Sequence, residues 1–389
     1  MARILFGSEF GANLGHIYPM LRIADLLSSR GHEVIFAARD VPKTHQALKD
    51  RGYRVVQAPY WINPSHPDIK KSATPSYADV MARQGFIHKE TLEGMFAAWS
   101  NLVTLLKADV IIADHSPGLS LAARGMVPMI NIGNGFTLPP SHLETYPPII
   151  SEGKPLIAQS RILDVFNDVL QMNGREPLSH LPQIFDTEGQ YVCTVPQLDP
   201  YVDYRSSNLV GPLEQSLDFA PLPKRPHVFL YMAREAGRNN VALDAIKRLG
   251  VTATVFLRDA PEKTVSAYAS TKIEMLRAPA DFSEALPKST VVIHSGGGGT
   301  STSCLMTGRV QITFPTHSET MLNSKLMALN GVAKPVRSSV TLDQMTGILK
   351  HSVENREMQN KALSIAKQLS EGDWRSALTK IADHVERLI

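Results

Sequence analysis

Apolar residues recur along the chain with two periods, and the periods take turns. Residues 2–7 form a short apolar run bounded by Gly7. Ile17, Met20, Leu21, Ala24 and Leu27 then fall on one face of a helix. Pro19 suits the first turn of that helix, and Gly31 suits its C-terminal cap. Glu33 to Ala38 reads as the next strand, so the first 40 residues make a βαβ unit and predict a parallel sheet. Residues 54–57 predict another strand and 88–106 a helix. The apolar runs at 110–113 and 127–132 have no polar alternation, as expected of parallel strands buried on both faces.

Prolines then interrupt the pattern. Pro139, Pro140, Pro147, Pro148 and Pro155 crowd residues 136–160, and residues 196–226 end in Pro221-Leu222-Pro223-Lys224-Arg225-Pro226. Proline at this density stops regular structure and stiffens a connection. A second strand–helix alternation follows, with strands expected at 227–233, 252–257, 272–277, 290–294 and 310–314. Thr341 and Gln344 match a capping box that opens a helix near 342–351, and helices over 355–370 and 375–388 follow. The pattern divides the chain into a Rossmann-like domain at 1–210, a linker at 211–226, a second Rossmann-like domain at 227–370 and a closing helix at 371–389. The fold class is α/β, with two doubly wound domains expected to face each other across a cleft at the carboxyl ends of their strands.

Composition narrows the function classes. Of 389 residues, 43% are hydrophobic and 20% charged, which supports packed cores and excludes disordered or collagen-like chains. Forty Lys and Arg against 37 Asp and Glu leave +3, too small and too evenly spread to argue for nucleic-acid binding. Cys193 and Cys304 stand in no metal or redox spacing, so a reduced, cytoplasmic protein is expected. No apolar run approaches the roughly 18 residues of a membrane span, and the N-terminal run is too short for a signal peptide.

Two loops carry candidate chemistry. The first, Gly7-Ser8-Glu9-Phe10-Gly11-Ala12-Asn13-Leu14-Gly15-His16, spaces its glycines four apart, unlike the dinucleotide fingerprint. It delivers His16 to the start of a helix, whose roughly half-unit positive charge disfavours imidazolium. His16 is then either a capping or core histidine or a neutral general base. Asp114 ends the strand at 110–113, also at the carboxyl edge. It either caps the helix near Ser116-Pro117 or accepts the second imidazole N–H, fixing the tautomer as in hydrolase triads. No G-x-S-x-G supplies a protein nucleophile, so a base of this kind points to a substrate hydroxyl as the nucleophile.

The second loop is His294-Ser295-Gly296-Gly297-Gly298-Gly299-Thr300-Ser301, where a buried strand runs through four glycines into a helix. It is either a flexible turn or an anion site of backbone amides and helix dipole, suited to a diphosphate. No G-K-[ST] follows, so it is not a Walker loop. Downstream, Glu319 opens another helix; it either complements the helix dipole or accepts hydrogen bonds from sugar hydroxyls. Tyr60, Trp61, Phe86, Met95, Phe96 and Trp99 enrich residues 60–100 in aromatic and apolar surface, as helix core or as a pocket for an apolar molecule.

Together these pieces resemble the family 1 GT-B glycosyltransferases, the macrolide- and UDP-glycosyltransferase type. The matching residues are Gly15-His16-x-x-Pro19, Leu26-Leu27 and Arg30-Gly31-His32-x-Val34; Ala108-Asp109-Val110-Ile111-Ile112-x-Asp114 with Pro128; Leu209-Val210-Gly211-Pro212-Leu213; and His294, Gly296, Gly297, Gly299, Thr300, Leu305, Gly308, Pro315, Glu319 and Asn323. The resemblance runs along nearly the whole chain and implies an inverting transfer that needs no metal or cofactor. His16 would deprotonate an acceptor hydroxyl with Asp114 in support. His294, Gly296, Gly297, Gly298, Gly299 and Thr300 would hold the diphosphate of a UDP- or dTDP-sugar, and Glu319 the sugar. Phe10, Trp61 and Phe96 would meet a small or lipophilic acceptor. No D-x-D metal-diphosphate motif occurs in the chain.

Three departures mark this chain: one extra residue between His294 and Thr300, Ser303 where the family commonly has an acidic residue for the ribose, and Thr320 where it commonly has glutamine. Fewer groups for hydroxyls favour a thymidine-diphosphate deoxysugar as competitor to a uridine-diphosphate sugar. A sugar-nucleotide epimerase and a non-catalytic nucleotide-sugar binder remain the alternatives, and a homodimer stays open.

Overall fold

The computed structural model describes residues 1–10, 14–61, 75–149, 154–155, 157–207, 209–213, 217–233 and 238–389. Residues 11–13 of the first loop therefore lie outside the description. The chain divides into two compact units, Met1–Glu214 with Asp373–Ile389, and Gln215–Gly372.

Unit 1 runs β1 (Arg3–Ser8), α1 (Ile17–Ser29), β2 (Glu33–Ala38), α2 (Val41–Lys49), β3 (Arg54–Gln57), α3 (Tyr77–Gln84), α4 (Lys89–Leu106), β4 (Val110–Asp114), α5 (Pro117–Ala123), β5 (Met129–Gly133), α6 (Gln159–Met172) and β6 (Gly189–Val192). Unit 2 runs β7 (His227–Ala233), α7 (Arg238–Leu249), β8 (Thr252–Arg258), α8 (Glu262–Tyr268), β9 (Ile273–Leu276), α9 (Phe282–Ala285), β10 (Val291–His294), α10 (Gly298–Thr307), β11 (Val310–Thr313), α11 (Ser318–Leu329), β12 (Ala333–Pro335), α12 (Leu342–Glu354) and α13 (Arg356–Ser370). The last helix, α14 (Ala377–Leu388), returns to unit 1. The sheets are ordered β3-β2-β1-β4-β5-β6 and β12-β11-β10-β7-β8-β9, and the strands pair in parallel. Counted within its own unit, each has the order 3-2-1-4-5-6 of a doubly wound sheet.

Burial explains the winding. In β1, Ile4 and Phe6 join a core with Met20, Ala24 and Leu27 of α1, while Leu5 joins the opposite core with Leu92, Trp99 and Leu119. A strand apolar on both faces needs helices on both faces, and so carries no alternating pattern. Strand β5 starts at Met129, later than its apolar run suggests, because Pro128 has no N–H to give; its carbonyl still accepts from Ile111 N at 3.0 Å. β6 and β12 were not anticipated. Both are edge strands, where polar residues and Pro335 are tolerated and the apolar signal is weak.

The proline-rich connection is tied down within each unit. In unit 1, Arg22 donates to the carbonyl of Leu213. Gly211 adopts φ +87°, and a Cβ there would fall 2.4 Å from Trp374 Cε3. In unit 2, Ala220 N donates to Thr307 O, and the buried Arg309 guanidinium donates to Pro221 O and Leu286 O. Helix α14 buries Ala377, Ile381, Ala382 and Val385 in the same core as α1, with Arg30 reaching Asp383 and Glu386 at 2.7 and 2.6 Å.

Gly211→Ala should therefore lower stability by about 2 kcal/mol, from the left-handed backbone and the ring contact together. Urea unfolding measures the loss. Adding Trp374→Ala should recover only the steric part.

Candidate functional site

In unit 1, β1 and β4 are neighbours with Ser8 opposite Asp114. The strand order reverses between them, which opens a crevice at the carboxyl edge. His16 sits just before α1 and Asp114 is the last residue of β4. His16 Nδ1 lies 2.8 Å from Asp114 Oδ2. The carboxylate accepts, so the imidazole proton is on Nδ1 and the lone pair on Nε2. The His16 side chain makes no cap hydrogen bond to α1, and α5 is preceded by Ser116 rather than Asp114. Both capping readings therefore give way to the paired one. Asp114 is 5% exposed, and its Oδ1 has no hydrogen-bond partner.

Two neighbours of this pair carry no motif in the sequence. Glu9 is 2% exposed; its Oε1 accepts from the indoles of Trp61 and Trp99 at 2.8 and 3.0 Å, and its Oε2 from Gly118 N at 2.6 Å. Burial pushes its pKa above the ordinary 4.5, against the pull of those donors. His115 follows Asp114 with φ +49° and packs its ring 5.5 Å from that of His16. Burial, then the nearby His16 and Arg39, hold its pKa well below 6.5, so the ring is neutral.

The expected acceptor residues separate. Phe10 meets His115 edge-on at 5.2 Å and borders the site. Trp61 stacks on Phe86 at 4.2 Å and spends its N–H on Glu9; Phe96 is 3% exposed in the same core. Among the described residues both rings are buried in the core of unit 1.

In unit 2 the glycine run follows β10, beside β7, at the equivalent reversal of strand order. His294 is 1% exposed and has both ring nitrogens engaged: Gly296 N donates to Nδ1 at 3.1 Å, and Nε2 lies 2.8 Å from Gln311 Oε1. A ring accepting at Nδ1 must carry its proton on Nε2, which also fixes the Gln311 amide with its oxygen toward the ring. Burial lowers the His294 pKa to about 4. His294 thus shapes the loop from beneath. Gly296 turns at φ +83°, where a Cβ would meet Ser324 Oγ at 2.7 Å and Thr320 O at 3.0 Å, and Asn323 Nδ2 donates to its carbonyl at 3.1 Å. Helix α10 begins inside the run, at Gly298, after Gly297 as its N-cap residue. The amides of Gly298, Gly299 and Thr300 lie in its first turn, where no intrahelical carbonyl meets them.

The remaining donor-side residues differ. Glu319 is half-buried in the first turn of α11. Thr320 Oγ1 is turned inward, accepting from Thr316 N and His317 N at 3.1 and 3.2 Å, so it is committed to the loop. Ser303 is 8% exposed on α10, and that helix has no acidic residue in its first turn. Among the described residues no three His, Cys, Asp or Glu side chains gather as a metal site, and no helix is long and apolar enough to cross a membrane.

No protein-family model matches the chain. A Mycobacterium tuberculosis PGL/p-HBAD biosynthesis glycosyltransferase is 24% identical over 417 residues, covering 98% of this chain and 88% of the relative. The calicheamicin glycosyltransferase CalG4 matches over 100% of this chain and 98% of its own, with TM-score 0.71 and 15% identity. The spinosyn rhamnosyltransferase SpnG complexed with thymidine diphosphate matches over 98% and 100%, with TM-score 0.68 and 14% identity. The chain therefore has the GT-B fold, and its end-to-end similarity is to glycosyltransferases, in line with what the motifs imply.

Two consequences are measurable. Glu9→Ala strands three buried donors and should cost about 3 kcal/mol or more. Since the folded pKa of Glu9 is raised, its contribution is full below pH 4.5 and shrinks as pH rises, so the stability gap between wild type and Glu9→Gln should narrow upward from pH 4.5 in denaturant titrations. Gln311→Glu gives His294 a carboxylate partner, and the imidazole should then titrate in the neutral range rather than near 4, as read by NMR.

Proposed function

We propose that the chain moves a sugar from a UDP- or dTDP-sugar to a hydroxyl of a small or lipophilic acceptor, with inversion and without a metal. The observation that carries this reading is the 2.8 Å contact between His16 Nδ1 and Asp114 Oδ2. It leaves Nε2 as the basic atom, and Asp114 stabilises the imidazolium formed when Nε2 takes the acceptor proton. The acceptor oxygen attacks the anomeric carbon, the bond to the diphosphate breaks on the opposite side, and the nucleoside diphosphate departs. The amides of Gly298, Gly299 and Thr300 at the positive end of α10 receive its charge. His294 serves by holding Gly296 in place.

Glu319 hydrogen-bonds the sugar from the first turn of α11. With Thr320 committed to its own loop and Ser303 in place of a carboxylate, the donor side offers few partners for hydroxyls. This supports a thymidine-diphosphate deoxysugar, and the bound thymidine diphosphate of the SpnG structure agrees with that choice of nucleotide.

His16→Ala should reduce transfer by roughly 10³-fold and Asp114→Asn by roughly 10²-fold, with little change in nucleotide affinity. Product formation from each donor with a panel of hydroxylated acceptors, followed by mass spectrometry, reads both. The rate should be unchanged by a chelator, and the product should show the anomeric configuration opposite to the donor. Transfer that survives His16→Ala, or that stops on chelation, overturns the reading.

A further inference from the structure

Buried polar atoms without protein partners gather next to the His16–Asp114 pair. His115 keeps some surface exposure, yet both ring nitrogens are buried and neither makes a hydrogen bond. Asp114 Oδ1 and the hydroxyls of Tyr77, Tyr146 and Tyr201 are in the same condition. Each such group is costly to leave unmet, and native folds retain few of them unless something else meets the need. Single unmatched atoms occur elsewhere too, among them Ser301 Oγ, Gln311 Nε2 and Ser324 Oγ in unit 2, but beside the pair they adjoin one another, while neighbouring Glu9 takes three donors.

The orphaned groups are contiguous. The His115 ring lies 5.5 Å from His16 and 6.0 Å from Tyr77, and Tyr77 lies 5.4 Å from Tyr146. Phe10 and Phe136 present their rings edgewise to His115 at 5.2 and 6.0 Å. The backbone of His115 is left-handed at φ +49°, a conformation uncommon for any residue with a Cβ. Phe10 N, donating to His115 O at 3.1 Å, helps hold it there. Packing thus maintains a strained backbone that keeps one imidazole beside another.

We propose that His115 is a specificity residue for the acceptor: it hydrogen-bonds a second polar group next to the hydroxyl that His16 deprotonates, on a neutral hydroxylated aromatic molecule. The proposal rests on the reading of His16 as base. A neutral imidazole offers one N–H and one lone pair, which suits a substituent that donates and accepts, a hydroxyl or a primary amide. The Asp114 carboxylate behind it disfavours a carboxylate substituent. The 5.5 Å between the imidazoles matches substituents carried on one six-membered ring, and the aromatic rings of Phe10, Phe136 and Tyr77 around His115 suit an aromatic neighbour.

The test uses the full chain and four probes: resorcinol, 3-hydroxybenzamide, phenol and 3-hydroxybenzoate. Calorimetry on wild type should show resorcinol and the amide binding about tenfold tighter than phenol, the worth of one good hydrogen bond, with 3-hydroxybenzoate no tighter than phenol. His115→Phe should erase that tenfold preference. His115→Asn, which tolerates the left-handed backbone, should keep part of it. Equal affinities in wild type, a preference that survives His115→Phe, benzoate as the tightest ligand, or no binding by any probe would each overturn the proposal. Transfer to the same probes from a nucleotide sugar separates the two claims. Discrimination in binding without His16-dependent transfer removes the base and leaves the recognition, whereas His16-dependent transfer without discrimination removes the recognition alone.

Discussion

The hydrogen bond between His16 and Asp114 joins residues 98 positions apart, and only strand order makes it available. Parallel strands all end at one edge of their sheet, so the loop after β1 and the end of β4 converge once β4 pairs directly with β1. The same bond decides what the imidazole is. With its proton held on Nδ1, His16 has its basic nitrogen defined before any ligand arrives. A change that loosened the β1–β4 pairing would disable the pair without touching either side chain.

Much of this was legible from residue order. Continuous apolar runs marked the central strands, because a strand covered on both faces has no polar side to show. His16 and Asp114 stood out as types, and the glycine run before α10 as a composition that helix propensity alone disfavours. What escaped were residues whose meaning depends on distant partners. Glu9 looks like any loop glutamate until Trp61, Trp99 and Gly118 close around it, and Gln311 like a strand residue until His294 lies beside it. The burial of Trp61 and Phe96 is likewise invisible in the sequence, because aromatic composition does not report what covers a ring. The edge strands β6 and β12 escaped for the opposite reason: water and polar residues reach them.

Both units solve a similar electrostatic problem beside their candidate loops. Glu9 and His115 in unit 1 and His294 in unit 2 are titratable groups that burial biases toward their neutral forms. Neutral groups impose direction through hydrogen bonds without adding a field of their own. Beside them stand the Asp114 carboxylate in unit 1 and, in unit 2, the helix end that follows the glycines.

Helix α14 has a consequence for how the chain is made. Unit 2 is a continuous stretch inserted between two pieces of unit 1, and Ala377, Ile381 and Val385 complete a core begun by Ile4 and Phe6. During synthesis the inserted unit can finish folding while the earlier one still shows an uncovered apolar face on α1. That face stays open until the segment beyond residue 373 has been made, and apolar surface exposed through such an interval invites aggregation.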